Sequence, residues 1–173
     1  GFSLGTSAET LLAARASMGA FAIYKSLELE ALVGPRFYEY FTPNVGTAAR
    51  VKFTPIPELR LGANYQYDDI YFDMLQPASI SAGIRGHALF ATADASLPLG
   101  IRVTGRVGTR QLAPENHGVD ASGTLLVKLV GPLSAGYNGQ FIAWTANDPA
   151  YWSPQAFAAH LGIVRLAGSL DHA

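Results

Sequence analysis

The sequence predicts an all-β fold: an antiparallel up-and-down transmembrane β-barrel, or a fragment of a larger one. Three observations carry this expectation. Apolar residues make up 49% of the 173 residues and charged residues only 14%, against roughly 25% charged in soluble domains. No stretch approaches the ~20 consecutive apolar residues of a membrane-spanning helix. Instead the apolar residues recur at every second position, as in strands with one face in an apolar medium.

The alternation is clearest in three windows. Leu59, Leu61, Ala63, Tyr65 and Tyr67 share one face, with Arg60, Gly62, Asn64 and Gln66 on the other. Ile101, Val103 and Val107 oppose Arg102, Thr104, Arg106 and Arg110. Leu133, Ala135, Tyr137, Phe141 and Ala143 oppose Ser134, Gly136, Asn138 and Gln140. Ala49, Val51 and Phe53 face away from Arg50 and Lys52, and Phe157, Ala159, Leu161 and Ile163 face away from His160. These patterns place about nine strands at 8–16, 20–33, 48–54, 59–68, 80–95, 101–110, 123–130, 134–144 and 156–170. The first rests on an Ala/Leu-rich stretch, Glu9–Ala20, that suits a helix equally well. The 80–95 strand slips in its alternation between Phe90 and Ala93, which predicts a bulge.

Connections predict the orientation. Short turns containing proline fall at Thr54–Glu58, Leu97–Gly100 and Gly131–Ser134, with another near Ser17–Gly19. Long loops are expected between them at 34–47, 68–79, 111–122 and 145–155. In a meander every second connection lies on the same side, and outer-membrane barrels have short periplasmic turns and longer extracellular loops. The sequence is expected to form a single barrel domain over 1–173, excerpted from a longer chain. The odd strand number and the absence of a terminal aromatic residue motivate that expectation.

An aromatic pair, a hydroxyl residue and a proline recur at Tyr40-Phe41-Thr42-Pro43 and Tyr151-Trp152-Ser153-Pro154, with a looser copy at Tyr71-Phe72 and Pro77. Proline suits the first position of a strand, and the aromatics would then lie at headgroup depth. The second copy, Tyr151-Trp152-Ser153-Pro154-Gln155, resembles a segment in the C-terminal barrels of exopolysaccharide-secretion proteins. These are the cellulose synthase operon protein C family and its tetratricopeptide-plus-barrel relatives. The match covers five residues. The resemblance implies a barrel of about sixteen strands that exports polymer and is fed by periplasmic helical repeats. This chain departs from the family in having no such repeat.

The polar faces carry eight of the twelve Lys and Arg residues: Arg50, Lys52, Arg60, Arg85, Arg102, Arg106, Arg110 and Lys128. An Arg or Lys facing lipid at mid-bilayer costs ~2–4 kcal/mol, so these side chains are expected to face an enclosed wet space. One consequence is a basic lumen that favours an anionic solute or polymer; the competing reading is that acids on other strands neutralise it. Most acids are assigned to loops, Asp120 among them, with Glu28, Glu30 and Asp94 as the exceptions. Arg102, Arg106 and Arg110 form a ladder at every fourth residue, its ends roughly 26 Å apart along the strand. His87 and His160 are placed on polar faces as lumen residues, and His117 in a loop. The four histidines show no metal-ligand spacing. Asp68-Asp69 with Asp73 is read as solvated loop acid rather than a Ca²⁺ site.

No cofactor, metal or catalytic constellation is legible, so the sequence reads as a non-enzymatic outer-membrane pore of a Gram-negative envelope. Its expected partners are outer-membrane lipid, a polysaccharide or anionic solute, and periplasmic secretion machinery, with no nucleic acid. The alternatives are a structural or adhesive barrel whose aromatic loops bind a partner, and a soluble calycin-like barrel with its apolar face turned inward.

Overall fold

The computed structural model describes residues 13–38, 41–67, 85–112, 115–149 and 153–166. All of the strands lie in one antiparallel sheet. They are β1 (Ala13–Arg15), β2 (Met18–Tyr24), β3 (Leu27–Tyr38), β4 (Phe41–Ile56) and β5 (Leu59–Tyr67), then β6 (Gly86–Leu97), β7 (Ile101–Leu112), β8 (Asn116–Val130), β9 (Leu133–Trp144) and β10 (Phe157–Leu166). From β3 to β10 each strand pairs with the next in sequence. The short β1 and β2 both pair with β3, one beyond the other, and so form a single edge strand broken at Ala16 and Ser17. The meander therefore has nine strand positions, with β10 at its other edge.

Register fixes which side chains share a face, because residues directly opposed in an antiparallel pair point the same way. Glu28 opposes Lys52, which opposes Gly62; the row continues through Thr92, Arg106, Ser122 and Gln140. Twelve charged side chains are described on strands β3–β10. All of them fall on this face: Glu28, Glu30, Arg50, Lys52, Arg60, Asp94, Arg102, Arg106, Arg110, Asp120, Lys128 and Arg165. The other face is a field of exposed apolar side chains, including Leu29, Val51, Phe53, Leu61, Leu89, Val103, Val107, Val119, Leu125 and Phe141. A cavity of about 510 Å³ lies against the charged face and is lined by residues from β4 to β8, so this face is the concave one. A calycin-like barrel needs the opposite arrangement, with its apolar residues inside.

The sheet is also staggered. One hydrogen-bonded row crosses it through Leu27, Leu61, Gly105 and Gly139. The short connections at this end of the sheet close at Ser26, Glu58, Gly100 and Pro132. They lie one, three, five and seven residues before those row members, a drift of one residue per strand. At ~3.3 Å per residue and ~4.8 Å between strands this corresponds to a tilt of about 35° from the barrel axis. On the convex face of β6, uncharged residues run from Leu97 to Leu89, and on β8 from Val127 to Val119. Eight residue steps at that tilt span ~22 Å, close to the height of the apolar band that outer-membrane barrels present to lipid.

Several expected boundaries move. The first tight turn is at Lys25 and Ser26, inside the predicted 20–33 strand; Lys25 adopts φ 53°, the left-handed conformation that tight hairpins use. The predicted loops at 34–47 and 111–122 are largely strand, since β3 and β4 run on to Tyr38 and from Phe41, and β7 and β8 to Leu112 and from Asn116. Glycines and Asn on the concave face (Gly34, Gly46, Asn116, Gly118) made these segments resemble loops. The four connections at one end are all two or three residues long; at the other end two are short and two are long, 68–85 and 145–156. β6 pairs without interruption from His87 to Ala95 on one side and from Gly86 to Leu97 on the other, so the predicted bulge near Phe90 is absent. Register breaks occur instead at Phe53/Ile56 in β4 and Lys128/Val130 in β8.

The opposite faces of neighbouring residues give a direct test. Leu125→Arg, on the convex face, should lower unfolding stability in phospholipid vesicles by about 2–4 kcal/mol, whereas Thr124→Arg, on the concave face, should cost under about 1 kcal/mol. Equal losses in urea titrations would show that the convex face does not meet lipid.

Candidate functional site: the charged concave wall

Parity of the strands places the basic residues in one wall, and the same parity brings acids beside them. On β3 and β4, Lys52 Nζ donates to both carboxylate oxygens of Glu28 at 3.0 and 3.1 Å, and Arg50 donates to Glu30 at 3.2 Å. On β6 and β7, Arg102 grips Asp94 with two bonds, Nε to Oδ1 at 3.0 Å and Nη2 to Oδ2 at 2.6 Å. Asp120 on β8 lies between two arginines of β7, with Arg106 at 3.7 Å and Arg110 at 3.4 Å. The side chains of the Glu28–Lys52, Glu30–Arg50 and Asp94–Arg102 pairs are mostly a third to a half exposed, so each of these three pairs contributes under ~1 kcal/mol to stability. Their main effect is on the charge that the wall presents.

Eight bases against four acids leave the described wall with a net formal charge of +4. Much of the excess lies toward the short turns. There Arg60, Arg102 and Asp94 line a second, polar cavity of about 220 Å³ with Glu58 and Ser96. Lys128 opposes Ser134, which opposes Arg165, in the last charged row on that side. Between the charges the wall is lined with hydroxyls and amides: Thr92, Thr104, Ser122 and Thr124 in the larger cavity, and Asn138, whose amide donates to Thr124 Oγ1 at 2.7 Å. Asn64 Oδ1 and Gln66 Oε1 are buried without a hydrogen-bond partner.

Toward the end with the long connections the wall becomes a small core. Phe90 is 3% exposed. Its ring lies over Gly108, its partner across the ladder, where an added Cβ would collide with the ring. The Arg106 guanidinium sits 3.8 Å from the ring centroid, and that of Arg110 5.3 Å away, within cation–π range. Trp144 covers Gly118 in the same way, at 2.7 Å from the position a Cβ would take. Leu112, Ala88 and Ala48 are buried nearby. The β9–β10 connection is anchored to this core through Asn116. Its amide donates to Ala146 O at 2.9 Å, and its Oδ1 accepts from Thr145 Oγ1 and Ala146 N. Ser153 Oγ accepts from Asp148 N at 2.6 Å, and Trp144 N donates to Pro154 O.

The structure brings Arg50, Lys52, Arg60, Arg102, Arg106, Arg110 and Lys128 together on the concave wall. Arg85 lies just before β6, outside the ladder. The histidines are placed differently from expectation. His87 has the parity of Leu89 and stands on the convex face, where Tyr65 Oη and His87 Nδ1 are 2.6 Å apart. The expected bulge had shifted it to the wrong side. His160 also faces outward, hydrogen-bonded to Tyr137. Arg165 and Leu161 share a face, so Phe157, Leu161 and Ile163 turn toward the concave side. Asp120 belongs to β8, not to a loop. Phe41 and Pro43 fall inside β4 rather than ahead of a strand, and Pro154 precedes β10. Tyr40, Tyr151 and Trp152, the Tyr71-Phe72 copy and the acids Asp68, Asp69 and Asp73 lie outside the described residues. No group of three metal-ligating side chains occurs among the described residues. The Phe90–Gly108 and Trp144–Gly118 packing leaves little sign in the sequence; its one trace is the slip in alternation at Phe90.

No family model matches the chain, and no curated protein sequence matches it. Among solved structures it is similar to one described as a bacterial polysaccharide outer membrane secretin, with a TM-score of 0.66 and 15% sequence identity. The likeness covers 83% of this chain and 50% of that one. At this identity it is a likeness of fold, and this chain spans about half the length of the structure it matches.

Gly108→Ala should destabilise the protein by about 1–3 kcal/mol through overpacking against Phe90. Gly105→Ala lies three residues away in the same strand, where the nearest atom to the new Cβ is 4.0 Å distant, and should cost under about 1 kcal/mol. Chemical denaturation of the two variants in the same detergent checks the difference, and equal midpoints would contradict the packing described.

Proposed function

We propose that this chain forms part of the wall of an outer-membrane transport barrel, with the concave face lining a passage for a polysaccharide or another anionic solute. The observation that carries this reading is the complete separation of charge. Twelve described strand charges lie on one face, while the other offers an uncharged band close in height to the one outer-membrane barrels present to lipid. A soluble sheet also separates charged from apolar residues, but turns its apolar face toward a core; here the charged face is the concave one and the apolar face is convex and exposed, the arrangement a lipid-exposed barrel requires. The fold likeness to the polysaccharide secretin supports the same reading and favours a sugar polymer as the solute. The wall itself suits a hydroxylated chain. It offers hydroxyls and a positive excess that draws acidic groups without holding them at one tight site.

The pairing of acids with arginines defines the selectivity. The ladder of Arg102, Arg106 and Arg110 is partly neutralised by Asp94 and Asp120, so the passage is moderately rather than strongly anion-preferring. Polysaccharide export through periplasmic machinery, as the cellulose synthase operon protein C resemblance implies, is the specific form of this proposal. In it, the short-turn end faces the periplasm and receives the polymer at its more basic mouth.

Planar-bilayer recording of the full-length protein tests the proposal. Wild type should conduct with an anion preference, and an acidic polysaccharide added on the short-turn side should block the current. Asp94→Asn with Asp120→Asn should raise the anion-to-cation permeability ratio about twofold or more, since two negative charges leave the wall. Failure to observe either conductance or polymer-dependent block would overturn the proposal.

A further inference from the structure

The three arginines of β7 share a face but differ in what holds them. Arg102 uses Nε and Nη2 on the two oxygens of Asp94. Arg110 is only 17% exposed, beside an Asp120 that is covered to a similar degree. Arg106, between them, is 41% exposed and lines the larger cavity. Its guanidinium carbon sits 3.8 Å from the centroid of Phe90, a separation that only a roughly parallel approach allows, so the fork lies flat on the ring. The ring itself is fixed, being buried and seated on Gly108. Asp120 stands 3.7 Å from Nε on one edge, and Nη1 and Nη2 make no hydrogen bond to the described residues. Thr92 and Ser122 directly oppose Arg106 on the two flanking strands. Two hydroxyl side chains thus flank Arg106 in one row, and neither has a hydrogen-bond partner among the described residues.

We propose that Arg106, with Thr92 and Ser122, is a recognition site for the carboxylate of an acidic sugar unit in the transported chain. The proposal rests on the reading of the concave face as a polysaccharide passage, and it narrows the cargo to glycans that carry carboxylates. A guanidinium fork matches the two oxygens of a carboxylate. Stacking on Phe90 fixes the fork in advance, so little rotamer freedom is lost when the anion arrives. The flanking hydroxyls are free to donate to the same two oxygens. Room for the sugar ring lies beside the site. Beyond Thr92 the row runs through Gly62 to Lys52, and roughly 14 Å of wall between the two cations carries only a threonine and a glycine. The cavity there is lined by Arg50, Lys52, Arg60 and Arg106 against one acid, Asp94, which Arg102 already occupies. A neutral glycan leaves this charge unanswered. Asp120 offsets part of it from the Nε edge, so the hold on each carboxylate is brief enough for the chain to move on.

The test measures block of the single-channel current of the full-length protein by a galacturonate oligomer and by a neutral glucan oligomer of equal length. Wild type should be blocked by the galacturonate at roughly tenfold lower concentration, the contribution of one or two charge-assisted hydrogen bonds. Arg106→Lys keeps the charge but loses the fork and its stacking. It should weaken galacturonate block about fivefold or more and leave glucan block unchanged. Lys128→Gln removes a whole charge from the same face roughly 20 Å along β8 from Ser122, and should weaken galacturonate block less than about twofold, because salt screens that distance. Thr92→Val keeps the side-chain shape and should weaken it about two- to threefold through the lost hydroxyl. Galacturonate block in Arg106→Lys as tight as in wild type, or as weak in Lys128→Gln as in Arg106→Lys, would overturn the site. If Arg106→Lys shifts the unfolding midpoint, Thr92→Val decides, and an unchanged block there overturns the site. A wild type that conducts and is blocked equally by both oligomers overturns the site alone. One that does not conduct, or that neither oligomer blocks, overturns the passage together with it.

Discussion

Hydrocarbon cannot solvate a guanidinium or a carboxylate, and a β-strand offers only two directions in which to point one. Together these facts dictate nearly everything else about this sheet. Once Arg102 is turned to the concave face, parity turns Arg106 and Arg110 with it, and the ladder transmits the choice to Asp94 and Asp120 on the flanking strands. In the proposed membrane setting, a shift of one residue in register anywhere would put a whole strand's charges into hydrocarbon. Register would then be held by a penalty of several kcal/mol per strand, far more than the salt bridges themselves supply.

The acids that accompany the arginines reflect a compromise. A wall bearing bases alone would repel itself and, in the proposed passage, would bind an acidic chain too firmly to let it move. A wall of fully matched pairs would have no preference at all. Here Glu28, Glu30, Asp94 and Asp120 neutralise about half of the basic charge, and the remainder is concentrated near Arg60, Lys128 and Arg165. The other end is held by packing rather than charge. Phe90 and Trp144 lie flat over glycines of adjacent strands, replacing two absent side chains with two rings and giving an otherwise hydrated surface a rigid patch.

Period-2 alternation made the strands β4, β5, β7, β8 and β9 and the faces of their arginines legible in the sequence, because each strand mixes charge with large apolar residues. Alternation failed where that contrast vanished. In β6 the concave face carries Ala88 and Phe90, so alternation slips there, and His87 reads from sequence alone as a lumen residue. In β10 the only charge is Arg165, at the far end of the strand, and Phe157, Leu161 and Ile163 looked like a lipid-facing row. The extended hairpins of β3–β4 and β7–β8 were hidden because glycine and Asn on a concave wall have the same composition as loops. The acidic partners could not be found by reading strands singly, since Asp120 meets Arg106 and Arg110 only through the β7–β8 register.

The drift of one residue per strand also bears on motion through the proposed passage. In a closed barrel with strands tilted by about 35°, the line from Arg102 to Arg110 would advance ~22 Å along the axis and ~15 Å around the circumference. A flexible chain handed from one guanidinium to the next in such a passage could not slide straight. It would have to twist as it moved, along a shallow screw thread whose sense is set by the handedness of the sheet.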